Sequence, residues 1–454
     1  MANTANAIDE RTKPPFLRRV RIRGYKSIAF CDVALQPLTI LVGRNAAGKS
    51  NFLDALAFLR DVMKLGVTEA AKIKPRSGWS SLACRSANVP KIEIEIETAF
   101  TCARPFQRIR DDSVPSATTP PDAGPLPDLT GVAFTATYGL EFSTGKHSAP
   151  VISKEWLEIA DETKRQRAGF KVHKGITEQW GTEPDFSYPV GHPKERTLQV
   201  THRPDLPLLS VIGTQPFVEL GEGLRWMAFY NFIPDAMRGL PMPTAGSLLD
   251  NHGQNLASVI AGLKELEPES VQRVRDYVTV IAPEIEDFNV TRLGEYETVR
   301  FRLFAEAGAK ALEIDAASMS DGTLRALASL MAAFQIVLPH GYPSVVGIEE
   351  PETALHPAAM RALVDALDDA TQRTQVILTT HSADLLSGRD ISPGQVLVVR
   401  NRGGQTHITP VDPASREIIE KELYTLADLQ RMDKLDIDEA DLERQVQLSQ
   451  QERV

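Results

Sequence analysis

The octet GRNAAGKS at residues 43–50 constrains this chain more than any other feature. It follows the apolar run LTILV and precedes a stretch in which Phe52, Leu56, Leu59 and Met63 recur at helical spacing. A strand feeding a glycine loop that opens a helix is the setting in which the pattern G-x-x-x-x-G-K-[ST] has a physical meaning. Glycines let peptide N–H groups turn inward around an anion, and the helix N-terminus adds a favourable dipole. Gly43, Arg44, Asn45, Ala46, Ala47, Gly48, Lys49, Ser50 and the following Asn51 are therefore candidate phosphate-cradle residues. In such a loop Lys49 would neutralise β- and γ-phosphate oxygens while the Ser50 hydroxyl ligates Mg2+, so ATP and Mg2+ are the expected ligands. A chance match on a glycine turn is the competing explanation, and the strand–loop–helix setting argues against it.

Composition narrows the class. At 454 residues the chain is long enough for one large domain with insertions, or for two to three ordinary domains. It is 42% hydrophobic and 24% charged, yet holds no apolar run long enough to cross a bilayer, so no membrane partner is expected. The net charge of −10 excludes a polycation, and any grip on nucleic acid must come from a local patch or an assembled groove. Cys31, Cys84 and Cys102 show neither a pairing pattern nor metal-ligand spacing, which fits a reduced, cytoplasmic setting.

Along the chain, residues 1–15 lack the apolar core of a signal peptide and are expected to form a disordered lead. Residues 16–105 form the lobe that carries the glycine loop, and within it KIEIEIETAF alternates as a strand with one wet side does. Residues 106–131 (with DDSVPSATTPPDAGPLPD) turn to Pro, Ser, Thr and Asp and are expected to be a mobile loop, cleaved early by proteases. Residues 132–215 look like an inserted, mainly β subdomain. Its Lys164, Arg165, Arg167, Phe170, Lys171 and Lys174 would face DNA or a partner, or else be ordinary solvated surface. Residues 216–430 hold a helical stretch from about 247 to 282 and then, from 324, alternating helices and short apolar strands, the pattern of a buried parallel sheet. Residues 431–454 read as a charged tail, helical and frayed.

The second lobe carries further candidate chemistry. In SVVGIEEPETALHP a buried strand would deliver Glu349 and Glu350 to its carboxyl end, where ligands sit in open α/β sheets. One acid would reach the metal, and the other would take a proton from an attacking water. An exposed acidic turn is the plainer reading of two adjacent acids. VILTTHSADL ends a further strand at His381, which would hydrogen-bond a γ-phosphate oxygen or serve as a structural hydrogen-bonder. ASMSDGTLRALASL sets Ser320, Asp321 and Gly322 before a long apolar helix, as a second anion site or as a plain N-cap.

The order of these pieces (glycine loop, Ser-Asp-Gly turn, paired acids, histidine) resembles the ABC-type ATPases of the RecF/SMC branch. In particular it resembles AAA-family predicted ATPases related to the overcoming-lysogenization-defect (OLD) nucleases. The resemblance covers about residues 16–100 and 220–430. It implies an α/β fold, a P-loop NTPase of ABC/SMC type with a mixed sheet flanked by helices and an inserted mainly β subdomain. Gly43–Ser50 resembles the Walker A loop, Met319–Thr323 the signature motif, and Val345–Glu350 the Walker B strand. Glu352–His356 is similar to the D-loop and His381 to the switch histidine, while RVRIRGYKSI is similar to a basic, aromatic element lying close to the nucleotide. The resemblance makes Ser50 and Glu349 metal ligands, and Glu350 and His381 catalytic. It also implies a homodimer glued by ATP and released by hydrolysis to ADP and phosphate. The output would pass to DNA or to a separate effector nuclease, in DNA repair and genome maintenance or in antiviral defence. A nucleotide-binding scaffold with negligible turnover is the alternative, and a transport ATPase subunit a more distant one.

The chain departs from the pattern at several positions. Glu349 stands where the branch usually has aspartate, Asp321 where the signature has its second glycine, and WMAFYNFIP offers Asn231 where a Q-loop glutamine would be. After His381 about 70 residues remain, too few for the compact TOPRIM domain that OLD nucleases carry.

Overall fold

Val42 and Leu41 are neighbours in sequence, yet they are buried in two different cores. That division organises the molecule. The computed structural model describes residues 16–84, 91–102, 130–144, 149–161, 167–173, 176–181, 196–198, 204–212, 215–244, 248–304, 311–336, 341–387 and 391–451. Strands β1 (Leu17–Tyr25), β2 (Ile28–Ala34) and β3 (Leu38–Val42) lead into helix α1 (Lys49–Leu65) and the short α2 (Val67–Ala70). Strands β4 (Ile92–Thr101), β5 (Ala133–Thr144), β6 (Pro150–Asp161), β7 (Arg167–His173), β8 (Ile176–Gly181) and β9 (Arg196–Leu198) follow. Next come α3 (Phe217–Arg225), β10 (Ala228–Tyr230), α4 (Pro234–Met237), α5 (Leu256–Leu266) and α6 (Pro268–Ile281). A small antiparallel sheet, β11 (Ile285–Leu293), β12 (Tyr296–Leu303) and β13 (Glu313–Asp315), precedes α7 (Asp321–Phe334) and β14 (Val345–Glu349). The chain continues through α8 (Pro357–Ala370), β15 (Gln375–Thr380), β16 (Val396–Arg402), β17 (Gln405–Pro410), α9 (Pro413–Glu420), α10 (Leu426–Arg431) and α11 (Glu439–Gln451).

The central sheet has the order β10-β14-β15-β3-β16-β17, parallel except for β17. Its strands are short and apolar at nearly every position because both faces are covered. Leu41, Val345, Ile377, Leu397 and Val399 face α1 and the larger antiparallel sheet. Ile40, Val42, Val346, Ile348, Val376, Leu378 and Val398 face the helical side, where α5, α6, α7 and α8 pack. Helix α1 lies between two sheets, which is why Phe52, Leu53, Leu56, Phe58, Leu59 and Val62 are all buried rather than one stripe alone.

The antiparallel sheet runs β2-β1-β4-β5-β6-β7-β8-β9. In β4 the isoleucines Ile92, Ile94 and Ile96 are buried, while the intervening glutamates meet the arginines of β1. Arg21 Nη1 reaches Glu95 at 2.9 Å and Arg19 Nη1 reaches Glu97 at 3.2 Å, as the cross-strand register dictates. The strands of 132–215 continue this sheet directly from β4. In β5, Phe134, Tyr138, Leu140 and Phe142 are buried, with the Phe142 ring 5.3 Å from that of Phe58 in α1. Phe170, expected on an outward surface, is fully buried because β7 alternates its faces like the strands beside it. Arg167 and Lys171 are exposed, and Lys164, Arg165 and Lys174 lie outside the described residues. As far as β7 the segment extends the antiparallel sheet of the N-terminal lobe strand by strand.

Glu155 of β6 is wholly buried and accepts hydrogen bonds from Leu208 N (2.6 Å), Leu209 N (2.9 Å) and the Tyr138 hydroxyl (3.0 Å). Burial outweighs those bonds and pushes its carboxyl up from 4.5 to about 7. The folded state thus holds the proton more tightly than the unfolded chain. Its contribution is full below pH 4.5 and is lost as the pH rises through about 7, a change of about 3 kcal/mol. Urea midpoints measured across that range are expected to fall with rising pH in the wild type and to flatten in Glu155→Gln; an equal fall in both would exclude this carboxyl as the cause.

The lead 1–15 and, except for Thr130 and Gly131, the segment 106–131 lie outside the described residues. The tail is docked rather than frayed. Arg444 Nη1 of α11 meets the buried Asp32 carboxylate at 3.0 Å, and Gln445 is buried, donating to Ile408 O at 2.9 Å. Among the described residues no helix is long and apolar enough to cross a membrane.

Candidate functional site

Strand register brings the motifs to one edge. Glu349 pairs with Thr379 and Thr380 with Val42, so β14, β15 and β3 end side by side. Glu350, His381 and Gly43 are the residues immediately beyond those ends. Backbone bonds hold the three turns together: Glu350 N donates to Thr379 O at 3.0 Å and Gly43 N to Thr380 O at 3.3 Å. Carboxyl ends of parallel strands are where open α/β sheets take their ligands.

The glycine loop turns through the left-handed region at Ala46 (φ 62) and Gly48 (φ 107), and α1 begins at Lys49 with no side chain capping its N-terminus. Lys49 is 5% exposed, and its Nζ donates to Gly43 O at 2.8 Å and Arg44 O at 3.2 Å. Burial draws the ammonium below its ordinary pKa, while Glu350, Glu352 and Glu349 pull it back up. Arg44 and Asn45 are exposed, Ala47 is buried, and Asn51 points back to donate to Ser27 Oγ at 2.6 Å.

Ser50 Oγ donates to Glu349 Oε2 at 2.5 Å. Burial raises the Glu349 carboxyl and the serine bond lowers it. The Ser50 hydroxyl and the Glu349 carboxylate are hard oxygens of the kind a small divalent cation takes, though among the described residues no group of three or more His, Cys, Asp or Glu is arranged to hold one. His381 Nδ1 lies 3.2 Å from Glu350 Oε1, and Glu350 itself has φ 43, a costly conformation for a glutamate.

The Ser-Asp-Gly turn opens helix α7, which packs in the core on the face of the central sheet opposite α1. Ser320 caps α7, accepting from Thr323 N at 3.2 Å. Asp321 is paired with Arg238, which also reaches Met319 O (2.8 Å) and Asp235 (2.8 Å). A Cβ on Gly322 would lie 2.4 Å from Ala354 O, so only glycine lets this turn approach the loop after β14. Asn231 follows β10, the neighbour of β14. Its side chain is exposed, and its backbone is fixed to Asn251 O (2.9 Å) and the His252 ring (2.8 Å).

Two further participants are not among the candidate site residues: Glu352, which the resemblance places only at the start of the D-loop, and Thr406, which no motif marks. Glu352 is 2% exposed; its Oε1 accepts from Thr380 Oγ1, and its Oε2 is buried with no hydrogen-bond partner among the described residues. Because Thr380 Oγ1 also accepts from Ser382 N at 2.9 Å, Glu352 ties the acidic turn to the histidine turn. Thr406 of β17 donates to Ala47 O at 2.9 Å from the far end of the chain.

A mixed, mainly parallel sheet with a glycine loop leading from β3 into α1, and acids at the end of β14, two strands away, is the arrangement of a P-loop NTPase fold. A family profile described as "AAA domain, putative AbiEii toxin, Type IV TA system" matches residues 38–99 and 212–387, more than half of the chain. The chain belongs to that AAA family. No curated protein sequence matches it. Among solved structures it is similar to the SmcHead bound to the C-winged helix domain of ScpA, at 12% identity, TM-score 0.46, and coverage of 88% of this chain and 99% of that one. It is also similar to the Smc head domain with an extended coiled coil bound to the C-terminal domain of ScpA from Pyrococcus furiosus, at 13% identity, TM-score 0.43, and 90% and 99% coverage. The SMC head domain from Thermotoga maritima matches at 10% identity, TM-score 0.35, and 87% and 99% coverage.

Proposed function

We propose that the chain is a switch ATPase that binds ATP with Mg2+ at the glycine-loop edge, hydrolyses it, and closes as a homodimer while ATP is bound. The observation that carries this reading is the meeting, at one sheet edge, of the buried Lys49, the Ser50–Glu349 pair and the Glu350–His381 pair. Lys49 and the N–H groups at the start of α1 would hold the β- and γ-phosphates. Ser50 and Glu349 would hold Mg2+, which neutralises phosphate charge when bound. Glu350 would take a proton from the attacking water as the water oxygen bonds to the γ-phosphorus and the bond to the ADP oxygen breaks. His381, 3.2 Å away, keeps the Glu350 carboxylate in place.

Closure as a dimer is the proposed way in which the two halves of the motif set meet. In it, Ser320 and Gly322 at the N-terminus of α7 would face a phosphate held by Lys49 of a second copy. The charge of Asp321 is balanced by Arg238, which supports turnover over the scaffold reading. Output to DNA or to a separate effector such as a nuclease, in genome maintenance or antiviral defence, is the broader role. The toxin–antitoxin system named in the family description supports its defence side. Release of phosphate from ATP·Mg2+ by purified protein tests the reading: steady release well above that of Glu350→Gln is expected. Equal rates would overturn hydrolysis and favour the scaffold.

A further inference from the structure

A chain of side-chain hydrogen bonds begins on the first turn of α1 and ends on the glycine loop. Asn51 Nδ2 donates to Ser27 Oγ at 2.6 Å, Ser27 Oγ and Thr406 Oγ1 are 2.7 Å apart, and Thr406 Oγ1 donates to Ala47 O at 2.9 Å. One direction satisfies every group. An amide NH2 only donates, a carbonyl only accepts, and each hydroxyl has one proton to give. Ser27 therefore donates to Thr406, and Thr406 spends its proton on Ala47. The backbone locks the same contact, since Thr406 N donates to Ser27 O at 2.8 Å. Thr406 is 1% exposed and lies outside both stretches matched by the family profile. A Cβ on Gly48 would fall 1.9 Å from Thr406 Oγ1, so this side chain fills the space against the loop that glycine leaves.

We infer that Thr406 is a positioning residue for the phosphate loop, aiming the Gly48 N–H by anchoring the Ala47 carbonyl on the other side of the same peptide plane. In a trans peptide the C=O and the following N–H point in opposite directions, so fixing one fixes the other. Among the described residues no protein acceptor takes the Gly48 N–H, which leaves it directed for an external anion. Without the anchor the plane can rotate, and the left-handed Ala46–Gly48 turn must be re-formed each time a phosphate binds. The inference rests on the nucleotide reading above.

Two readouts separate the two claims. Thr406→Val keeps the shape and removes the proton; Thr406→Ser keeps the proton. Thr406→Val is expected to weaken ATP·Mg2+ binding and raise KM about fivefold to tenfold with kcat little changed, and Thr406→Ser to stay within about twofold of wild type. Hydrogen exchange without nucleotide is expected to quicken at Gly48 and Lys49 in Thr406→Val alone. Should that variant fail to fold, Ser27→Ala breaks the same chain one link earlier and is expected to shift both readouts in the same direction by a smaller factor. Wild-type affinity and exchange in Thr406→Val, or in Ser27→Ala where it has to stand in, would overturn the inference, as would a Thr406→Ser as weak as Thr406→Val. Failure of wild-type protein to bind ATP would overturn the nucleotide reading instead, while the exchange arm would still decide whether Thr406 holds the loop.

Discussion

Replacing Lys49 by alanine is expected to remove measurable ATP binding while leaving the fold intact. The ammonium is buried at the mouth of the loop and faces Glu349, Glu350 and Glu352. Without it, an incoming triphosphate meets three carboxylates with the cation buried in the loop gone. The loss is expected to be several kcal/mol, about a thousandfold in affinity or more, because the site is partly desolvated and charge pairs are poorly screened there. In the folded protein Lys49 satisfies only the carbonyls of Gly43 and Arg44, which water can reach once the side chain is shortened, so the melting temperature should change little. Calorimetric titration with ATP·Mg2+ beside a thermal scan measures both. Unchanged affinity in Lys49→Ala would sink the loop's assignment.

The second large effect is expected in Glu350→Gln. The amide keeps the shape of the side chain and a hydrogen bond to His381, but it cannot take a proton from water. Turnover is expected to drop by about a hundredfold to ten-thousandfold, with ATP affinity preserved. Blocking hydrolysis should also hold the closed state, so sedimentation velocity with ATP·Mg2+ is expected to show a persistent dimer for this variant. Wild type should show a transient or partial one. A strict monomer in the variant would contradict closure between copies. Glu349→Gln should behave differently, shifting the Mg2+ concentration needed for activity, because Glu349 shares its oxygen with Ser50 rather than facing the histidine.

Much of this was legible in the sequence for physical reasons. Strands β3, β14 and β15 read as short continuous apolar runs because a parallel sheet between two layers leaves no wet face. The strict alternation of β4 reported its half-wet surface, where glutamates meet Arg19 and Arg21. The edge itself was legible because its chemistry is local: Gly48, Lys49 and Ser50 are consecutive, as are Glu349 and Glu350. What joins them is long-range. Ser50 and Glu349 are 299 positions apart, Ser27 and Thr406 are 379, and a hydrogen bond across such a span leaves no periodicity to read. Arg238 could not be matched to Asp321 for the same reason. In 132–215 the alternation was readable, but the strand against which β5 would pair was not, since register depends on which edge the N-terminal lobe leaves open. The tail looked solvated from its charges, and it is those charges, Arg444 against the buried Asp32, that dock it.

The central claim is that the sheet edge joining Lys49, Ser50, Glu349, Glu350 and His381 is an ATP site. Equilibrium titration of the wild-type 454-residue chain with a fluorescent ATP analogue in Mg2+, followed by competition with unlabelled ATP, tests it most directly. The account predicts saturable binding of one analogue per chain that ATP displaces. No saturable binding at millimolar nucleotide, or binding that ATP fails to displace, would contradict it.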